Sequence, residues 1–219
     1  MGRRVLMFAA VCFDNDGLLL ETETAWTRAE VELFARRGQA FTDDHKRYMI
    51  GSAGVVGARK LEEMLERPGE GWALWEELHE LVMGELPEGV EPMPGALELV
   101  DALRGRGIPV ALVSNSARDF VELALATAGV GERFDAVLTR DDVAAGKPAP
   151  DLYLAACEAL QAEPGAAVGL EDTATGVTSV KAAGLSAIGV PSFEGVSLDE
   201  ADLVAASLED PSVRRFLGL

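Results

Sequence analysis

Histidine and cysteine are nearly absent: His45, His79, Cys12 and Cys157 are the whole supply in 219 residues. Two cysteines so far apart make neither a paired metal-ligand motif nor a disulfide framework, and they read as small buried thiols in a reducing compartment. A Ser-His-Asp or Cys-His enzyme would have to use one of the two histidines, and neither stands near a nucleophile-like turn. Whatever chemistry the chain performs must therefore run on carboxylates, hydroxyls, a lysine or a bound ion. Basic charge is scarce too: 19 Lys and Arg face 37 Asp and Glu, a formal net charge of −18. Such a surface repels nucleic acid and anionic lipid, so neither is an expected partner. No uncharged apolar run approaches the ~18 residues of a membrane-spanning helix.

Near the start, Arg3 and Arg4 precede the apolar stretch Val5–Phe13, which imitates a secretory signal. It runs straight into Asp14-Asn15-Asp16-Gly17 with no small-residue cleavage site, and Leu6 stands where myristoylation needs Ser or Thr. A buried β-strand explains the stretch better, and the expected location is cytoplasmic.

Beyond it, apolar runs alternate with helix-period segments. Ile108–Ser114, Phe134–Leu138, Ala167–Leu170 and Ser186–Val190 read as strands buried on both faces. Between them, Pro94 opens a helix with Leu97, Val100 and Leu103 on one face, and Ser116 is a candidate cap for the next. Further helices are expected over about Pro150–Gln161 and Thr173–Ala183. This rhythm predicts an α/β fold, a parallel sheet with helices on both faces. Residues 23–92 break it with helical segments only, around Thr24–Arg37, Val55–Glu66 and Trp72–Leu86. They are expected to form a small all-helical domain inserted in a core of residues 1–22 and 93–219. Within the insert, His45, Lys46, Arg47 and Arg59 are expected on a solvated face, and Trp72 and Trp75 in its packing.

In parallel α/β sheets, ligands bind where the strands end. The first strand ends at Asp14-Asn15-Asp16-Gly17 and the next at Ser114-Asn115-Ser116; Lys147 follows the third, and Glu171-Asp172 closes the fourth. Four carboxylates against one lysine would repel one another unless a cation sits among them. Oxygen ligands in small number favour Mg²⁺, completed by water and a substrate phosphate. Lys147 supplies a compact positive charge, Ser114 a hydroxyl, and Gly17 a sharp turn after the acidic pair.

FDNDGLLLETE, VSNS, GKPAPDLY and GLEDTATGVTSVKAAG, in that order, resemble the four motifs of the haloacid dehalogenase-like superfamily. Over nearly its whole length the chain is similar to the sugar-phosphatase and β-phosphoglucomutase branch. The resemblance implies a Rossmann-like core under a helical cap that closes over it. It implies that Asp14 attacks phosphorus, that Asp16 serves as acid and then base, and that Ser114 and Lys147 hold the phosphoryl group. Mg²⁺ would be bound by Asp14, the Asp16 carbonyl and Asp172, with Glu171 in support. Asn15, Asn115 and Trp26 are the expected substrate contacts, and a small phosphorylated metabolite the expected partner of a monomer. An aspartate at position 16 favours phosphate esters over haloacids. Trp26 and Ala117 stand where mutases of the branch carry histidine and lysine, which favours hydrolysis over phosphomutation. A phosphomutase and a non-catalytic phosphate-binding module remain the alternatives.

Overall fold

The computed structural model describes Phe8–Leu219 except Ala53 and Glu194, so the readings of Arg3, Arg4 and Val5–Met7 lie outside the described residues. Its strands are β1 (Ala10–Asp14), β2 (Leu20–Glu21), β3 (Glu91–Pro92), β4 (Val110–Val113), β5 (Ala136–Leu138), β6 (Ala167–Glu171), β7 (Ser186–Gly189) and β8 (Leu203–Val204). Its α-helices are α1 (Glu23–Ala35), α2 (Asp43–Met49), α3 (Gly54–Met64), α4 (Gly71–Glu85), α5 (Ala96–Arg104), α6 (Arg118–Ala128), α7 (Asp151–Ala159), α8 (Ala174–Ala182) and α9 (Pro211–Leu217). The chain divides into two compact units, Thr22–Glu91 and the remainder up to Glu21 and from Pro92. Among the described residues, no helix is long and apolar enough to cross a membrane.

The larger unit is built on a six-stranded sheet in the order β5-β4-β1-β6-β7-β8, every pair parallel. From β1 the chain steps outward on one side, then returns to β6 and steps outward on the other. The crevice between β1 and β6 is therefore the switch point where such sheets bind ligands. Residues on both faces of β1 and β4 are buried, as a sheet covered on both sides requires. Helices α7 and α8 pack on one face over Ala10, Cys12, Ala111 and Val113, and Cys157 joins that layer. Both cysteines are buried, free thiols.

Helix α5 differs from the sequence reading in register. Its buried stripe is Ala96, Leu99, Val100 and Leu103, with Leu97 only partly covered. The helix starts at Ala96 rather than near Pro94, because Gly95 in a left-handed conformation holds the entry turn. Helix α6 is not capped by Ser116. Asp141 accepts the Arg118 N–H at 2.9 Å, so a carboxylate from a distant loop satisfies that helix end.

The smaller unit is helical, with Leu33, Phe34, Leu61, Leu74, Leu78 and Val82 buried between α1, α3 and α4. Its short α2 is absent from the sequence reading, as are β8 and α9. Thr42 and His45 form a reciprocal capping box at the start of α2, and His45 packs near Phe34 and Phe41. Lys46 is not on a solvated face: it bridges Glu23 at 2.8 Å and Glu30 at 3.0 Å with its side chain 15% exposed. Arg47 and Arg59 are solvated. Trp75 stacks on Trp26, whereas Trp72 is 54% exposed rather than packed.

Candidate active site

All of the site described below belongs to the larger unit. Parallel pairing in register brings the carboxyl ends of β1, β4 and β6 level, so residues more than a hundred positions apart become neighbours. Asp14 ends β1, Ser114 follows β4, and Glu171 ends β6. Lys147 arrives from the loop after β5.

The Lys147 ammonium is bonded to Asp14 Oδ1, to Glu171 Oε1 at 2.7 Å and to the Val113 carbonyl at 2.9 Å. An ammonium has three hydrogens, and here each has an internal acceptor. The Lys147, Asp14 and Glu171 side chains are only 4%, 8% and 1% exposed, so these charges act with little solvent screening. Burial pushes the Asp14 carboxyl well above the usual carboxylate range; Lys147 opposes this, while Glu171, Asp172 and Asp16 add to it. Burial also works against the Lys147 charge, but Asp14 and Glu171 outweigh it and hold the ammonium above its ordinary value.

Glu171 is fixed from two further sides. The Tyr153 hydroxyl donates to Oε1, and the carboxylate lies tight against the first turn of α8. A Cβ on Gly176 would meet Glu171 Oε2 at 1.8 Å, so only glycine fits there. The Tyr153 ring also stands 5.4 Å from Lys147 Nζ, adding a cation–π contact. Burial, then Glu171, raises the Tyr153 phenol well above its normal value, which keeps it a donor.

One carboxylate oxygen from each of Asp14, Glu171 and Asp172 lies within 4.8 Å of the others, and all three residues are buried. A single lysine does not balance them, and an all-oxygen donor set suits a hard divalent cation. Gly17 sustains this convergence at φ +82°: a Cβ there would stand 2.7 Å from Asp172 Oδ2. Ser192 donates to the same oxygen at 2.6 Å.

Asp16 turns toward β4. Its Oδ2 accepts from Ser116 Oγ at 3.0 Å and Ser114 Oγ at 3.1 Å, and its Oδ1 from Asn15 Nδ2 at 3.1 Å. Asn15 is fully buried, and its own Oδ1 is a buried acceptor with no hydrogen-bond partner. Asn115 brackets the Lys147 peptide, accepting its N–H at 2.9 Å and donating to its carbonyl at 3.3 Å. Two of the three expected substrate contacts thus serve neighbouring site residues in this structure. Trp26 lies in the other unit. Arg140, whose side chain donates to the Val143 carbonyl at 2.9 Å, braces the loop leading to Lys147.

Tyr153, Ser192 and the Ser116–Asp16 bond are missing from the sequence reading. Tyr153 had a signal, as a lone hydroxyl in the apolar helix after Lys147. Ser192 had none, because it lies beyond the motif that marks Asp172.

The sequence signature of the haloacid dehalogenase-like hydrolases covers residues 8–184. The chain belongs to this family. This haloacid dehalogenase-like hydrolase is 31% identical over 214 residues to validoxylamine A 7'-phosphate phosphatase of Streptomyces hygroscopicus subsp. limoneus, covering 93% of this chain and 96% of that one. Fructose-1-phosphate phosphatase YqaB of Escherichia coli (strain K12) is 31% identical over 183 residues, 84% of this chain and 96% of that one. Among solved structures, CbbY from Rhodobacter sphaeroides in complex with phosphate matches with a TM-score of 0.81 at 28% identity, covering 93% and 96% of the two chains. The family is one of enzymes; a fructose-1-phosphate phosphatase is among the relatives of this chain, and a putative β-phosphoglucomutase from Thermotoga maritima, 26% identical with a TM-score of 0.72, is among its structural neighbours.

Proposed function

We propose that this hydrolase is a Mg²⁺-dependent phosphatase of small phosphorylated metabolites, sugar phosphates foremost, working through an aspartyl phosphate on Asp14. The observation that carries the reading is the meeting of Asp14, Lys147, Glu171 and Asp172 in one buried cluster drawn from separate segments. The named sugar-phosphate phosphatases among its relatives support the substrate class.

Asp14 attacks phosphorus as the bond to the leaving oxygen breaks, and its carboxylate becomes the mixed anhydride. Asp16 gives the leaving alkoxide its proton, then takes one from the water that attacks the aspartyl phosphate, which frees inorganic phosphate and restores Asp14. Lys147 opposes the protonation that burial favours at Asp14 and holds its carboxyl group turned. Ser114 and the turn N–H groups after Asp14 and Ser114 hold phosphoryl oxygens. Asp14, Asp172 and the Asp16 carbonyl, supported by Glu171, would hold Mg²⁺, which supplies positive charge to the transferring group.

The test is release of phosphate from p-nitrophenyl phosphate and a panel of phosphorylated sugars, with and without Mg²⁺. Asp14→Asn should lose ~10³-fold or more of the rate while keeping its fold, as removal of a covalent nucleophile does. A variant as active as the wild type would remove Asp14 from the chemistry. Conversion of β-glucose 1-phosphate to glucose 6-phosphate, in place of free phosphate, would establish the phosphomutase alternative.

A further inference from the structure

One hydroxyl in the site has two tasks. Ser114 Oγ accepts the Ser116 N–H at 3.0 Å and spends its only proton on Asp16 Oδ2. In the phosphatase reading, on which this inference rests, that same proton must turn to a phosphoryl oxygen when substrate binds. Asp16 Oδ2 then keeps the Ser116 hydroxyl at 3.0 Å, while Asn15 Nδ2 keeps Oδ1. Ser116 can serve in this way because Asp141 caps α6 in its place.

We propose that Ser116 is a positioning residue for Asp16, holding its carboxyl toward the leaving-group oxygen during the period when Ser114 is engaged by the phosphoryl group. The proton passes from Asp16 to the leaving oxygen, which keeps the electron pair of the broken P–O bond; Ser116 neither gains nor loses a proton. Its removal should therefore cost most where the leaving group cannot depart unprotonated. Misplacing a proton donor by a fraction of an ångström forfeits part of what general acid catalysis provides.

Two esters of similar size separate this role from a merely structural one. p-Nitrophenolate leaves without a proton, whereas the alkoxide of benzyl phosphate needs one. Ser116→Ala should lower kcat/KM, which reports only the steps through departure of the leaving group, ~tenfold or more on benzyl phosphate and less than ~threefold on p-nitrophenyl phosphate, a share of the ~10²–10⁴ that a general acid contributes. Ser116→Thr, which keeps the hydroxyl, should recover benzyl phosphate turnover. Equal losses on both esters, no loss on benzyl phosphate, or a threonine variant no better than alanine would overturn the proposal. So would a wild-type enzyme that hydrolyses only the aryl ester, since it has no working acid to position. A wild type inert to both esters and to every phosphorylated sugar of the panel, or an active Asp14→Asn, would instead refute the phosphatase reading itself.

Discussion

Each unit of the molecule holds a lysine between two carboxylates, and the two clusters resolve the same charge problem differently. In the helical unit Lys46 bridges Glu23 and Glu30; in the sheet unit Lys147 bridges Asp14 and Glu171. Both leave an excess negative charge. Burial raises the Glu30 carboxyl to about 7 against the pull of Lys46, so a proton is available near neutrality to remove that excess. Around Lys147 the excess is greater, because Asp172 and Asp16 add their charges to those of Asp14 and Glu171. There one oxygen from each of Asp14, Glu171 and Asp172 lies within 4.8 Å of the others. One cluster fits a proton, and the other fits a cation. Structural ion-pair networks of the first kind also perturb pKa values, so they are weak evidence for function. Convergence of unbalanced carboxylates at a strand-end crevice is a stronger sign.

Deleting the lysine from each cluster should separate chemistry from folding. Lys147→Met should reduce phosphate-ester hydrolysis by ~10³-fold, in the range seen when one preorganised charge donor is lost. Lys46→Met should instead strip the buried Glu30 and the partly exposed Glu23 of their partner and destabilise the helical unit by ~1–3 kcal/mol. The second effect can be read selectively, because Trp26, Trp72 and Trp75 are the only tryptophans and all lie within Thr22–Glu91. Denaturant unfolding followed by tryptophan fluorescence is the measurement. A Lys46→Met protein with unchanged unfolding would break the comparison.

Metal sharpens the contrast. Mg²⁺ at ~100-fold over its dissociation constant should stabilise the protein by about 2.7 kcal/mol through mass action alone. Asp172→Asn should abolish that shift in thermal unfolding, and Glu30→Gln should leave it intact. Equal Mg²⁺ stabilisation of wild type and Asp172→Asn would remove Asp172 from the metal site.

Sequence and structure agree most closely where a residue's task follows from the strand that delivers it. Asp14, Ser114 and Glu171 stand at the ends of apolar runs, so their meeting follows from parallel pairing. Lys46 was illegible for the opposite reason. In the run Asp43-Asp44-His45-Lys46-Arg47 it looks like one charge of a solvated helix, and its partners lie on the preceding helix at no diagnostic spacing. Ser116 stands two residues before the first residue of α6 and resembles a cap; the competing cap, Asp141, comes from a loop whose position only the fold determines. Asn15 and Asn115 carry polar groups amid the motif residues, which suggests substrate contact. Burial directs Asn15 to Asp16, and a main-chain bracket directs Asn115 to Lys147. Tyr153 and Ser192 act through contacts that cross from one segment to another, and sequence spacing does not encode these.

The proton-balanced cluster makes its own, smaller prediction. With Glu30 near 4.5 in the unfolded chain and about 7 in the folded one, the native state holds the extra proton between those values. Stability from this group is therefore full below the unfolded value and declines as pH rises through the folded value. Glu30→Gln imitates the protonated form at every pH, so its advantage over wild type should grow by about 1 kcal/mol between pH 6 and pH 7. Tryptophan-monitored unfolding at the two pH values reads the difference directly, and titrations shared by both proteins cancel. An advantage that is constant across this interval would mean that Glu30 stays ionised beside Lys46. The helical cluster would then carry its excess charge without a proton, and the distinction drawn between the two lysines would fail on that side.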